Sequence, residues 1–245
     1  MQHLLRRKKI TQLIAVLLLS PALSFAQERF LNQEEHDYKS FHFGINVGVN
    51  RSNYSFTHHP RFLQMDSVMV VESINSTGIN LSWLVNKKLS YHFDLRTFPL
   101  SLIFTEKAFQ YHLKYPDKPA GEDSISTRKI QGITLAFPVQ LKFNSDRINN
   151  FRVYMMAGAK AEYDFAANKG SKATGAKQLM KLNKFDYGVE AGIGFHFYFP
   201  VFALTPELKI SRGLSNVHNR DESLKYSNVI DKINSRTITF SLTVE

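Results

Sequence analysis

From Phe41 to Asn50 the chain alternates strictly between apolar and polar residues. Phe41, Phe43, Ile45, Val47 and Val49 fall on one face, and His42, Gly44, Asn46, Gly48 and Asn50 on the other. Successive side chains of a strand point to opposite faces, so this period of two describes a ribbon with one apolar and one polar side. The pattern returns at Ile79–Val85, Leu89–Leu95, Ile133–Phe143 and Phe185–Phe199. It returns again at Phe202–Ile210 and Ile238–Val244, and more weakly at Phe151–Phe165, where the apolar face includes Ala157, Ala159 and Ala161. A chain of 245 residues built this way is all-β.

A soluble sandwich also buries one face of each strand, but it has no reason to sort its loops by length. Here the links alternate. Residues 51–76, 106–127, 166–183 and 214–235 are long; 86–88, 144–150 and the turn at Pro200 are short. Short periplasmic turns and long extracellular loops are the habit of transmembrane barrels. Most runs also reach the roughly 9–11 residues that a tilted membrane strand requires. In lipid every backbone polar group must pair, so the last strand has to close on the first. The expected fold is an eight-stranded antiparallel up-and-down transmembrane β-barrel over residues 41–245. Trp83, Tyr91, Tyr187 and the group Phe197-Tyr198-Phe199 are its expected interfacial aromatics.

Ahead of the barrel, Arg6, Arg7, Lys8 and Lys9 precede an uncharged run from Ile10 to Phe25 that ends at Ala26. A basic start, an apolar middle and small residues at the end describe a signal peptide over residues 1–26. Taking these four from 31 basic residues leaves 27 against 21 acidic ones, so a net charge of +10 falls to +6. An exported chain of that charge gives no ground for a nucleic-acid partner. The absence of cysteine excludes disulfide scaffolds and thiolate zinc sites. Residues 27–40 are polar and aperiodic, and read as a loosely attached segment.

Three prolines strain the strands. Near Thr97-Phe98-Pro99 the apolar parity flips, with Leu95 outward and then Phe98, Leu100, Leu102 and Phe104 outward as well, so a β-bulge is expected there. Pro138 and Pro206 have no such device in the sequence.

The polar face places Asp94, Arg96, Lys142, Arg152, Lys160, Glu162, Asp164, Lys184, Asp186, Glu190, Glu207 and Lys209 inside a narrow barrel. There, charges of both signs are expected to neutralise one another and fill the space. No catalytic, cofactor-binding or metal-binding residues are assigned. His42, His92 and His196 are dispersed along the chain, and His58-His59 read as solvated loop residues. The glycines of Gly188–Gly194 face the crowded lumen rather than cradling phosphate. Lys169, Lys172, Lys177 and Lys181 form a basic loop that is by default solvated and is also suited to lipopolysaccharide phosphates or an acidic partner. Ala157, Ala159 and Ala161 form a shallow outward groove that would permit close approach of another membrane protein.

The segments Phe43-Gly-Ile-Asn-Val-Gly-Val-Asn50, Gly188-Val-Glu-Ala-Gly-Ile-Gly-Phe195 and above all Leu204-Thr-Pro-Glu-Leu-Lys-Ile-Ser-Arg-Gly-Leu-Ser-Asn216 resemble the PorT family of Bacteroidetes outer-membrane barrels. That resemblance implies a non-enzymatic accessory or assembly component of the type IX secretion system, partnered by other secretion components and by outer-membrane lipid and lipopolysaccharide. It brings no cofactor. A stand-alone adhesin or membrane-stabilising barrel, acting through its extracellular loops, is the competing expectation. The C-terminus Leu242-Thr-Val-Glu245 lacks the terminal aromatic common in proteobacterial barrels.

Overall fold

A computed structural model describes residues 30–62, 68–114, 124–167, 181–219 and 225–245. The expected signal peptide and most of the basic loop, including Lys169, Lys172 and Lys177, lie outside the described residues. The chain divides into two units, residues 1–31 and 32–245. Of the first, only Phe30 and Leu31 are described, both without regular secondary structure.

Among the described residues of the second unit, a 3-10 turn at Glu34–Asp37 precedes eleven strands. These are β1 (Phe41–His58), β2 (Val68–Ile74), β3 (Ser76–Lys88), β4 (Phe93–Leu113), β5 (Ile125–Asn144) and β6 (Phe151–Asp164). There follow β7 (Lys181–Leu182), β8 (Phe185–Tyr198), β9 (Ala203–Gly213), β10 (His218–Asn219) and β11 (Ile230–Val244). A single helical turn, α1 (Lys225–Asn228), leads into β11.

Eight of the strands form a ring in the order β1-β3-β4-β5-β6-β8-β9-β11, every neighbour antiparallel. The ring closes between β1 and β11, from Ile45 opposite Val244 to Thr57 opposite Lys232. β2 continues β3 past a break at Asn75 and pairs with the far half of β4. β7 and β10 make a small separate ribbon.

Sidedness is inverted relative to a soluble protein. Ile45, Val47 and Val49 are each more than half exposed, whereas Asn46 is fully buried. Hydrocarbon takes the place of water against the first set, and the interior takes the polar residues.

The strands outrun their sequence-predicted ends at the loop side: β1 to His58, β4 to Leu113, and β11 from Ile230. In that extension the alternation persists but its polarity reverses. Arg51, Ser55 and Thr57 point outward, while Tyr54, Phe109, Tyr111, Leu113, Ile230 and Ile233 point inward. With Val68, Val71, Leu182, Val217 and Val229 they form an apolar core. Above the membrane the outer face meets water, so the apolar side turns in. At the other end the turns are shorter than the loops: residues 89–92, 145–150 and 199–202. Leu89 and Tyr91 belong to the first of these turns rather than to a strand. Asn149 closes the second with φ of 54°, a left-handed conformation that asparagine tolerates.

The expected bulge is present. The β4–β5 register slips between Thr97 and Ser101, and the β3–β4 register between Trp83 and Val85. The parity changes at Pro99 and Leu100, both exposed, so Phe98 is buried in the lumen and not on the lipid side as expected. Pro138 lies opposite the same gap, which puts two residues lacking an amide hydrogen into one interruption. The Thr97 hydroxyl donates to the Pro138 carbonyl across it (2.9 Å). Pro206 sits where the β8–β9 ladder skips from Gly194–Glu207 to Phe197–Leu204. There the Thr205 hydroxyl meets His196 Nδ1 at 2.8 Å.

Gly194 makes room for an interior ring. A Cβ built at this position lies 2.3 Å from Tyr154 Cζ and Oη. Gly194→Val is expected to lower the stability of the folded barrel by about 2 kcal/mol through overpacking. Urea unfolding midpoints in detergent micelles would check this.

Candidate functional site

The lumen and its two ends are where this chain concentrates polar side chains. β4 and β9 stand diametrically opposite in the ring. Arg96 and Glu207 project inward from them and meet at 2.5 Å, with side chains 1% and 0% exposed. Glu207 also accepts from the Thr243 hydroxyl (3.1 Å), and Arg96 donates to the Tyr154 hydroxyl (3.3 Å). The guanidinium carbon lies 4.8 Å from the centre of the Phe98 ring, and Lys209 Nζ lies 4.7 Å from it. Phe98 is therefore a cation–π floor under two cations.

Around this centre the other charges pair in layers. Lys160 meets Glu162 at 2.5 Å and the Ser211 hydroxyl at 3.2 Å. Gln140 donates to Glu190. Asp94 accepts from Asn86 (3.2 Å) and Asn144 (2.8 Å), with Lys142 at 3.7 Å. Lys142 Nζ is 2.6 Å from His196 Nε2. Asp186 accepts from Ser215 and from Ser235. Eleven of the twelve expected interior charges are buried or half-buried. The exception is Lys184, exposed in the turn before β8.

Little volume is left. One void of about 40 Å³ lies among Asn50, Asn80, Lys160, Glu190 and Lys209, and one of about 20 Å³ near Tyr54 and Asp164. Such spaces hold single waters and no organic ligand. A larger depression of about 520 Å³, lined by Phe43, Ile45, Leu81, Trp83, Leu100 and Leu102, is on the outward face. Its apolar lining suits lipid hydrocarbon.

The short-turn end is capped. Residues 32–40 were expected to be loosely attached, but they dock there. Asn32 donates its amide to Asn150 Oδ1 (2.7 Å) and its side chain to the Tyr198 carbonyl (3.0 Å). Asp37 pairs with Arg147 at 3.1 Å and Arg152 at 2.9 Å. Lys88 donates to the Asp37 carbonyl. Tyr198 is buried and inward, unlike its neighbours Phe197 and Phe199, by the alternation of β8, and Arg147 stacks 3.8 Å over its ring.

His42 and His196 are not dispersed in space. Both line this end together with His36, which stacks on His42 at 3.9 Å and lies 3.8 Å from Glu245. Burial alone would raise the Glu245 carboxyl. His36, with Lys142, His196 and Arg96, outweighs that and holds it well below the usual carboxylate range. Its contribution to stability is thus present above the ordinary carboxylate pKa and lost as the pH falls. His92 belongs to the adjacent turn, where its Nδ1 meets the Asn144 carbonyl at 3.0 Å.

At the loop end His58 packs 4.4 Å from Phe62, and His59 accepts from the Arg61 amide at 3.2 Å. Among the described residues no cluster of His, Asp and Glu is arranged to hold a metal. Ala157, Ala159 and Ala161 do face outward. Sequence reasoning passed over Arg51, Arg212 and Arg236, three outward-facing residues at the upper edge of the apolar band. The signal for them was a basic residue where each run of outward aliphatics stops.

The sequence pattern of the outer membrane protein beta-barrel domain matches residues 25–219. The chain belongs to that family. It is a protein of the cell outer membrane. Solved barrels that resemble this one include the following three. Neisserial surface protein A is 10% identical, covering 84% of this chain and 99% of its own, with a TM-score of 0.39. OprG from Pseudomonas aeruginosa is 11% identical over 82% and 92%, with a TM-score of 0.41. Ail, the attachment invasion locus protein of Yersinia pestis, is 13% identical over 84% and 99%, with a TM-score of 0.38 in its complex with the heparin analogue sucrose octasulfate. No curated protein sequence matches significantly. A barrel shared at such identities does not carry an activity with it.

Removing Arg96 leaves Glu207 buried with only Lys209, 3.9 Å away, as a cationic partner. Arg96→Ala is expected to destabilise this barrel by roughly 3–5 kcal/mol, and replacing both partners (Arg96→Met with Glu207→Leu) to recover most of that loss. Unfolding titrations of the three proteins would decide. Asp37→Ala removes the anion shared by Arg147 and Arg152. It is expected to make residues 32–40 protease-sensitive while the barrel core stays resistant, as read by mass spectrometry of limited digests.

Proposed function

We propose that this barrel is a non-enzymatic, non-conducting component that supports protein secretion across the outer membrane, as an accessory or assembly part of the type IX secretion system. The observation carrying the first half is the Arg96–Glu207 contact across the full width of the lumen. Among the described residues, an ion pair at the centre of the lumen, an apolar core at one mouth and a salt-bridged cap at the other leave no open route for solute and no cleft for substrate. What remains for function is surface.

The second half is supported by the PorT-like segment Leu204–Asn216, whose residues build much of β9. Pro206 occupies the ladder gap, Glu207 is the central anion, and Arg212 stands at the outer rim. Other secretion components are the partners this reading implies, and surface proteases and similar cargo are what the machine would export.

The packed apolar core above the membrane favours a second reading, a stand-alone adhesin or membrane-stabilising barrel. It gives the loops a firm base on which to present a binding surface.

A deletion strain is expected to retain cargo in the periplasm, and the full-length chain to restore export. Normal export and surface attachment of all cargo in that strain would remove the secretion reading. Loss of adhesion on loop replacement, with export intact, would establish the second. In planar bilayers the purified barrel is expected to give no steady conductance.

A further inference from the structure

The outward faces of β1, β9 and β11, three adjacent strands, change character at one height. Val49, Ile210 and Ile238 are exposed aliphatic residues, and two positions on toward the loops β1 and β9 present Arg51 and Arg212, as β11 presents Arg236 two positions before Ile238. The register sets Arg212 directly opposite Arg236. Arg51 stands opposite Ile238, and Arg236 opposite Asn53. Directly opposed Cβ atoms are about 5 Å apart and diagonal neighbours about 7–8 Å, so the three guanidinium groups share one small patch. Thr77 of β3 flanks it, opposite Arg51.

This placement is costly as it stands, because like charges directly opposite each other destabilise a sheet. No carboxylate relieves it among the described residues. β1 contains no acid. On β9, Glu207 is turned inward to Arg96, and on β11 Asp231 lies nearer the loops. The contrast with the lumen is sharp: inside, carboxylates stand beside cations, while here three cations stand together with none.

The patch also sits at a defined depth. It is at the loop end, opposite the short turns and the C-terminus, and therefore on the extracellular side. It begins where the apolar band stops, which is the level of lipid headgroups. We infer that Arg51, Arg212 and Arg236 form a binding site for the phosphate groups of a phosphorylated glycolipid of the outer leaflet. Guanidinium forks match phosphate oxygens in bidentate fashion, and an anion between them turns their mutual repulsion into shared attraction. The acyl chains of the same lipid would run down over Val49, Ile210 and Ile238. The site is independent of any role in secretion.

The test uses the full chain, purified and folded in detergent micelles and titrated with diphosphorylated lipid A. The expected result is a saturable rise in thermal midpoint that dephosphorylated lipid A does not produce, nor inorganic phosphate at the same concentration. In the triple variant Arg51→Gln, Arg212→Gln, Arg236→Gln the apparent affinity should fall on the order of a hundredfold, three surface cations each contributing to binding at an anionic leaflet. Retained affinity in that variant would overturn the site, as would an equal response of the native chain to the dephosphorylated lipid or to inorganic phosphate alone. Should the variant fail to fold, judged by heat-modifiable gel mobility, the comparison of the three ligands on the native chain decides the matter by itself.

Discussion

Hydrocarbon offers a peptide group nothing to hydrogen-bond with, and every other feature of this protein follows from that. Eight strands meet the demand by pairing in a ring, with β1 and β11 completing it. Once closed, the ring has a fixed and narrow interior. Its outer face must be apolar over the depth of the bilayer, so the polar half of each strand has nowhere to go but inward. The arrangement of Asn46, Asn80, Arg96, Lys142, Lys160 and Glu207 is the price of a greasy exterior.

Those interior residues do not make a channel, because charges brought into so small a space bind one another. Arg96 and Glu207 come from opposite walls and touch. Isolated, either would be severely penalised; together with Tyr154, Thr243 and Phe98 they tie the walls together. The Gly194 backbone is bare because Tyr154 needs the volume above it. Polar packing here does what apolar packing does in a soluble core, and the only apolar core of that kind among the described residues is the one above the membrane, where water bathes the outside again.

The same solvent logic decides how much the sequence revealed. Within the band, lipid enforces one polarity of alternation. The runs at Phe41–Asn50, Ile133–Phe143 and Phe185–Phe199 were readable for that reason, along with the alternation of long and short connections. Beyond the band the period of two continues with its polarity exchanged, so Tyr54, Phe109 and Tyr111 did not read as strand residues pointing inward. The bulge at Pro99 was legible from the parity change, but parity alone does not say on which side of it Phe98 falls. Its position depends on Arg96 and Lys209, which reach it from two strands. Contacts remote in sequence, such as Asp37 with Arg147 and Arg152 or Glu245 with His36, leave no periodic trace, and for that reason the cap and the histidine cluster were invisible.

The cap has a temporal meaning as well as a structural one. Its donors and acceptors come from the segment ahead of β1, from the end of β3, from the β5–β6 hairpin, from the turn after β8 and from the final residue of the chain. No subset of strands brings all of these together. Most of them lie within residues 32–199, but the contact from His36 to Glu245 is complete only when β11 has arrived beside β1, so this one contact of the N-terminal segment marks a closed ring.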